Sequence, residues 1–211
     1  MHPIFKKYDT IIFDCDGVIL DSNDLKIEAM RDALYLSDVI PHDIKLCCDY
    51  FKNNFGKSRY HHVQYFIDNI IENANEDLYA QVLDIYSIKC EELYLSAKIT
   101  PGFMEVINNC NAKLYVASGS AEGELRQVFK KRELYHYFQD ILGSPTSKSE
   151  NVRSIIQQNT GKTVMVGDAL SDFYAAKENG IEFIAYTPFS NVKEELELLS
   201  LTENFTLIEG W

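Results

Sequence analysis

Short apolar runs recur along the chain near 10–13, 113–117, 140–142, 163–166 and 182–185. Amphipathic stretches near 102–109, 122–132, 149–158 and 171–179 separate the later ones. Strand-then-helix alternation of this kind predicts a parallel sheet with helices on both faces. The first run, Thr10-Ile11-Ile12-Phe13, is apolar without alternation, as expected of a strand buried on both sides.

The gap between the first two runs is too long for a single crossover helix. It is filled by helical patterns with almost no strand signal. Leu25, Ala29 and Ala33 follow one another at i+4, and Leu78, Val82, Ile85, Tyr86, Lys89 and Leu93 mark another helix. Asn75, with Glu76 and Asp77 behind it, predicts an N-cap. Thr100 and Pro101 predict the cap and first residue of the next helix. The organisation read from these patterns is an α/β core made of 1–21 and 99–211, interrupted by a helical insertion over 22–98. That insertion would sit above the carboxyl edge of the sheet, where it can open and close over a site.

At 211 residues, 46% apolar and 25% charged, the chain has the makeup of a globular protein with one substantial core. Its formal charge of −12 argues against nucleic acid or an anionic membrane as the main partner. One stretch departs from that balance: Tyr50 to Ile67 holds no acid, but does hold Lys52, Lys57, Arg59, His61 and His62. Five cysteines without a C-x-x-C pattern point to reduced thiols and a cytoplasmic protein. Met1–Tyr8 lacks the apolar run of a signal peptide, and no run approaches a membrane span.

Chemistry gathers where the strands end. The first strand runs into Asp14-Cys15-Asp16-Gly17. Two carboxylates so close repel unless a cation or shared proton intervenes, and Mg²⁺ favours such acids together with phosphate oxygens. The second strand leads into Ser118-Gly119-Ser120, a hydroxyl with unhindered backbone N–H groups that can cradle phosphate. Taken alone, Ser118 reads more readily as the cap of the helix near Glu122. Lys148 follows the third strand, and Gly167-Asp168 with Asp172 follows the fourth. Asp168 suits a metal ligand and Asp172 a residue orienting it, although both acids also suit a helix N-terminus. Their convergence on one sheet edge is what separates these readings.

In this order the motifs resemble the haloacid dehalogenase superfamily, in the branch with a helical cap after the first motif, and most closely phosphoglycolate phosphatases and β-phosphoglucomutases. The resemblance implies a Rossmann-like three-layer core, a parallel β-sheet and a small α-helical cap. It also implies a Mg²⁺-dependent phosphatase acting on a small phosphate ester. Asp14 would be the nucleophile and Asp16 the general acid–base. Mg²⁺ would be held by Asp14, the Asp16 carbonyl and Asp168, and Ser118, Gly119 and Lys148 would bind the phosphoryl group. Phe55-Gly56-Lys57-Ser58-Arg59 resembles the cap loop that mutases lower onto their substrate, which would make Lys57 and Arg59 specificity residues.

The mutases carry a His where this chain has Lys26, so water is the expected phosphoryl acceptor. A sugar-phosphate mutase and a non-catalytic phosphate-sensing domain stand as alternatives; a sensor has no need of Asp16. A dehalogenase lacks the second acid. Gly56-Lys57-Ser58 and Gly161-Lys162-Thr163 end like nucleotide-binding loops, but neither has the leading glycine. A monomer or weak dimer is expected.

Overall fold

The computed structural model describes residues 3–211; Met1 and His2, part of the stretch read above for a signal peptide, lie outside it. Strands β1 (Thr10–Phe13), β4 (Lys113–Ala121), β5 (Asp140–Ser144), β6 (Thr163–Gly167), β7 (Glu182–Tyr186) and β8 (Thr206–Ile208) form one sheet in the order β5-β4-β1-β6-β7-β8. Every pairing in it is parallel. Strand β1 lies between β4 and β6, with Ile12 level with both Tyr115 and Met165. Strand order reverses about β1, and ligands of open α/β sheets bind in the crevice at such a switch point.

The unbroken apolar character of β1 follows from its place. Ile11 and Phe13 enter the core on one face of the sheet, with α5 (Phe103–Asn108) and α6 (Glu122–Lys131). Ile12 enters the core on the other, with α7 (Lys148–Gln157), α8 (Leu170–Glu178) and α9 (Lys193–Glu203). All four residues of the strand are buried, the polar Thr10 at its start included.

Between β1 and β4, helices α1 (Asn23–Leu36), α2 (Pro41–Asn53), α3 (Arg59–Asn69) and α4 (Leu78–Ser96) form a helical unit. A two-stranded antiparallel ribbon binds the chain leaving the sheet to the chain returning: β2 (Leu20–Asp21) pairs with β3 (Lys98–Ile99). The apolar core of this unit is continuous with the α5–α6 face of the sheet, running through Met30, Phe51, Phe66 and Tyr86.

Three local expectations are corrected. Helix α4 starts at Leu78 after Asp77; Asn75 instead accepts the Asp77 N–H at 3.0 Å through its side chain, forming the turn before the helix. Helix α5 starts at Phe103, after Gly102 at φ +87°, and not at Pro101. The Thr100 hydroxyl is used elsewhere, donating to the Val18 carbonyl at 2.6 Å and accepting from Trp211 Nε1 at 2.9 Å. The edge strand β8, only three residues long, has no counterpart among the expected strands. Among the described residues, no helix is long and apolar enough to cross a membrane.

Candidate active site

The turn after β1 brings two acids to the sheet edge. The Asp14 N–H donates to the Val166 carbonyl at 2.9 Å, continuing the ladder one residue beyond the strand. The chain then folds back, with the N–H groups of Ile19 and Leu20 both donating to the Cys15 carbonyl. Gly17 is required there: its φ is +74°, and a Cβ would lie 2.1 Å from Asp168 Oδ2.

On the β6 side, Asp14, Asp168 and Asp172 are all buried, with one oxygen from each lying within 4.8 Å of the others. Asp172 is anchored: Oδ2 accepts the N–H groups of Asp168 (3.2 Å) and Ala169 (3.0 Å), and Oδ1 takes the Lys148 ammonium. Lys148 also lies 3.3 Å from Asp14 Oδ1. The Asp168 carboxylate accepts Asn23 Nδ2, at 2.7 Å. Burial, reinforced by Asp172 and Asp16, pushes the Asp14 carboxyl up to about 7 despite Lys148. Burial and the charges of Asp14 and Asp172 push Asp168 well above the carboxylate range. Asp14 Oδ1 makes no hydrogen bond.

The helical side holds Asp16 in the opposite condition. Its Oδ1 accepts from Ser22 Oγ (2.7 Å) and Tyr94 OH (3.0 Å). Its Oδ2 accepts from Lys26 Nζ (2.9 Å) and Ser120 Oγ (2.9 Å). Burial would raise this carboxyl, but the Lys26 charge and the hydroxyl donors outweigh burial and hold it below its ordinary value. Lys26 is likewise held above its own ordinary value by Asp16, against the effect of burial.

These residues fit a divalent cation. Four buried carboxylates (Asp14, Asp16, Asp168 and Asp172) face two buried ammonium groups (Lys26 and Lys148), an excess of two negative charges when all are ionised. Asp16 and Asp172 have their donors. The deficit falls on Asp14 and Asp168, all-oxygen ligands of the kind Mg²⁺ takes.

Ser118 does not cap a helix. It lies in the irregular end of β4, where the register shifts between Ala117 and Ala121, and its Oγ accepts the Ser120 N–H at 3.1 Å. Helix α6 follows Ala121. Gly119 is glycine because the helical unit comes down on it: a Cβ there would lie 2.3 Å from the Gly56 carbonyl oxygen. Ser171 Oγ fixes the same loop by donating to the Phe55 carbonyl at 3.1 Å. The remaining cavity, bounded by Lys26, Phe55, Arg59, His62, Tyr86 and Gly119, is about 10 Å³, room for a single water.

The two basic loop residues diverge. Arg59 is buried, its guanidinium bonded to both oxygens of Glu124 on α6 at 2.8 and 2.6 Å and lying 4.9 Å from the Tyr86 ring centroid. Lys57 is exposed, 3.0 Å from Asn54 Oδ1. Sequence patterns alone do not single out Ser22, Asn23 or Tyr94; they name Ser120 only as the end of the Ser118-Gly119-Ser120 run and His62 only within the basic stretch, and they mark Lys26 only as a departure from the mutase pattern. His62 is buried and its Nδ1 has no partner. Burial, with His61 and Lys26 adding to it, drives this ring down to about 3, so it is neutral at physiological pH.

A doubly wound α/β sheet with a carboxylate centre at its switch point and a helical unit closing over it defines a class of hydrolase architecture. The chain belongs to the haloacid dehalogenase-like hydrolase family, whose model matches residues 11–186. Among curated proteins no match is found. Solved structures share the fold. One, a predicted phosphatase from Clostridium acetobutylicum, is 19% identical with a TM-score of 0.75, covering 95% of this chain and 93% of that one. A mutant of CbbY from Rhodobacter sphaeroides, in complex with xylulose-(1,5)bisphosphate, is 13% identical with a TM-score of 0.75, covering 96% and 94%. A predicted phosphoglycolate phosphatase from Haemophilus somnus is 15% identical with a TM-score of 0.71, covering 86% of each chain.

Proposed function

We propose that the protein is a Mg²⁺-dependent phosphatase of a small phosphorylated metabolite, with residues 22–98 acting as a cap over a core made of 1–21 and 99–211. The observation that carries this reading is Asp14, with one oxygen unbonded, crowded against Asp168 beside Lys148 and only two residues along the chain from a fully bonded Asp16. Asp14, the Asp16 carbonyl and Asp168 would hold the ion, with Asp172 orienting Lys148. When bound there, Mg²⁺ supplies positive charge to a phosphoryl group in transfer.

The residues' own part follows from their positions. Asp14 attacks phosphorus; the bond to the ester oxygen breaks and an aspartyl-phosphate forms. Lys148, Ser118 and the Gly119 N–H hold the phosphoryl oxygens. Asp16 protonates the departing alcohol and then takes the proton of the water that opens the aspartyl-phosphate. As it stands, Asp16 is in the carboxylate form, ready for the second step. A phosphate dianion entering beside it favours the protonated form that the first step needs.

The mutase reading is weakened by Arg59, whose fork is already filled by Glu124 and is not free for a second phosphate. A phosphate sensor is weakened by the commitment of four side chains to Asp16. The xylulose bisphosphate held by the CbbY mutant and the phosphoglycolate phosphatase activity predicted for the Haemophilus protein support a small phosphorylated metabolite as substrate. The test is phosphate release from a generic aryl phosphate, with Mg²⁺ and then with excess chelator. Activity should appear with the metal and vanish with the chelator; full activity in chelator removes the metal from the reading.

A further inference from the structure

Asp16 is served by four donors, and three of them come from outside the sheet. Ser22 precedes α1, Lys26 sits one turn into it, and Tyr94 lies near the end of α4. Only Ser120 belongs to the core, and it is bound into the same knot: Lys26 Nζ donates to it at 2.8 Å, and its Oγ lies 2.7 Å from Tyr94 OH. Lys26 thus bridges the Asp16 carboxylate and the end of β4, next to Gly119 and on the wall of the small cavity. Its ammonium also faces two rings, Nζ standing 5.8 Å from the Phe55 centroid and 5.9 Å from that of Tyr94.

A lysine is a costly residue for this place if packing were all that mattered. Taking two charges out of water is offset only by good geometry, and apolar residues of similar volume usually serve stability as well or better. What the pair does provide is direction. A carboxylate with one oxygen fixed by Lys26 and Ser120 and the other by Ser22 and Tyr94 has one orientation. Two of these donors stand on the first and last helices of the unit that must lift for substrate to enter.

We propose that Lys26 is the positioning residue of the acid–base carboxylate: it aims Asp16 at the ester oxygen when the helical unit is down and releases that aim when the unit lifts. Lys26 does not itself exchange protons with substrate; it acts through Asp16. This deepens the phosphatase reading and rests on it for its kinetic consequence. It also has a structural consequence of its own, because the Lys26–Asp16 contact ties α1 to the turn after β1.

The experiment compares Lys26→Met, Lys26→Arg and wild type on two esters with Mg²⁺: p-nitrophenyl phosphate, whose leaving group needs little protonation, and an alkyl phosphate, whose leaving group needs much. Lys26→Met should lose on the order of a hundredfold in kcat on the alkyl ester and under about fivefold on the aryl ester, with KM little changed, since the loss is one of general acid catalysis. Lys26→Arg, which keeps a cation, should recover most of the difference between the esters. Equal losses on both esters, or no loss, overturn the proposal.

Amide hydrogen exchange of the same three proteins needs no substrate. Lys26→Met should speed exchange at least tenfold in the first turns of α1 and the last turn of α4, with β6 and β7 unchanged. Should wild type hydrolyse neither ester, the phosphatase reading falls, and the exchange data alone then decide whether Lys26 clasps Asp16. Unaltered exchange overturns the clasp whatever the activity.

Discussion

Asp14 and Asp16 leave the same strand two residues apart, yet Asp14 has an oxygen without a hydrogen bond while both oxygens of Asp16 are fully engaged. On the β6 side, Asp14 and Asp168 face each other and Asp172, with Lys148 as the one cation among the described residues there, and burial drives the first two carboxyls upward. On the helical side, Asp16 has a lysine and three hydroxyls, and its carboxyl is held down. The difference teaches which group each acid is waiting for. A pair of crowded acids with few donors is relieved by a proton or would be by a cation, whereas a fully bonded acid is already oriented and needs only a proton to move.

The largest test of that contrast is Asp14→Asn. Turnover should disappear, because an amide cannot form the aspartyl-phosphate. The metal-free protein should nevertheless become more stable above pH 7, since the change removes one of three crowded charges. A rise of roughly 2–4 °C in Tm is expected for each kcal/mol of repulsion relieved in a chain of this size. Asp16→Asn should do the reverse to stability. It leaves Lys26 buried without its counter-ion, a change that costs about 3–5 kcal/mol in comparable buried pairs, and turnover should fall roughly 10²–10⁴-fold. Thermal melts of both metal-free variants decide the matter: if both move the same way, the two environments are not opposed.

Metal and pH should act together on the starved side only. Asp14 and Asp168 ionise later in the folded metal-free protein than in the unfolded chain. The folded state therefore binds more protons between about pH 4, where free carboxyls titrate, and about 7. By linkage, their contribution to stability is present below pH 4 and is lost as pH rises through 7. Mg²⁺ competes with those protons, so its stabilisation should be small at pH 5 and should reach several °C at pH 8. Melting curves with and without Mg²⁺ at the two pH values test this; a gain that shrinks with rising pH contradicts the assignment of the ion to these acids.

Legibility from sequence followed the same divide. The acids at the strand ends could be read because each follows a buried apolar run, and a parallel strand delivers its next residues to one edge. The donors to Asp16 could not. Periodicity marks Ala29 and Ala33 as the buried face of α1, but gives no sign that Lys26, in its first turn, is buried as well. Tyr94 sits beside Leu93 on a helix that reads as ordinary core. The Arg59–Glu124 pair joins residues far apart in the chain, and no local spacing announces it. Helix starts differ from expectation where another residue has a stronger use, as with Thr100, whose hydroxyl bridges Val18 and Trp211.

The smallest effects are expected in the loop over Gly119, where Arg59 and Lys57 should separate. Arg59 joins α3 to α6 through a two-oxygen contact with Glu124, and Ser87 also donates to that carboxylate. Arg59→Lys keeps the charge but loses the fork, so it should weaken the seating of the helical unit by about 1–2 kcal/mol and slow all esters by a similar factor. Lys57 is exposed, with its ammonium on Asn54 and over the Tyr50 ring at the end of α2. Lys57→Ala should leave Tm and aryl phosphate turnover unchanged, and raise KM about two- to fivefold for esters with a second anionic group, through loss of a screened surface charge. Kinetics on a matched pair of esters, one with and one without a distal carboxylate, settle the division. If the Arg59 variant discriminates between the two esters while the Lys57 variant does not, Arg59 leaves Glu124 to meet the substrate, and the pairing with Glu124 is only its resting position.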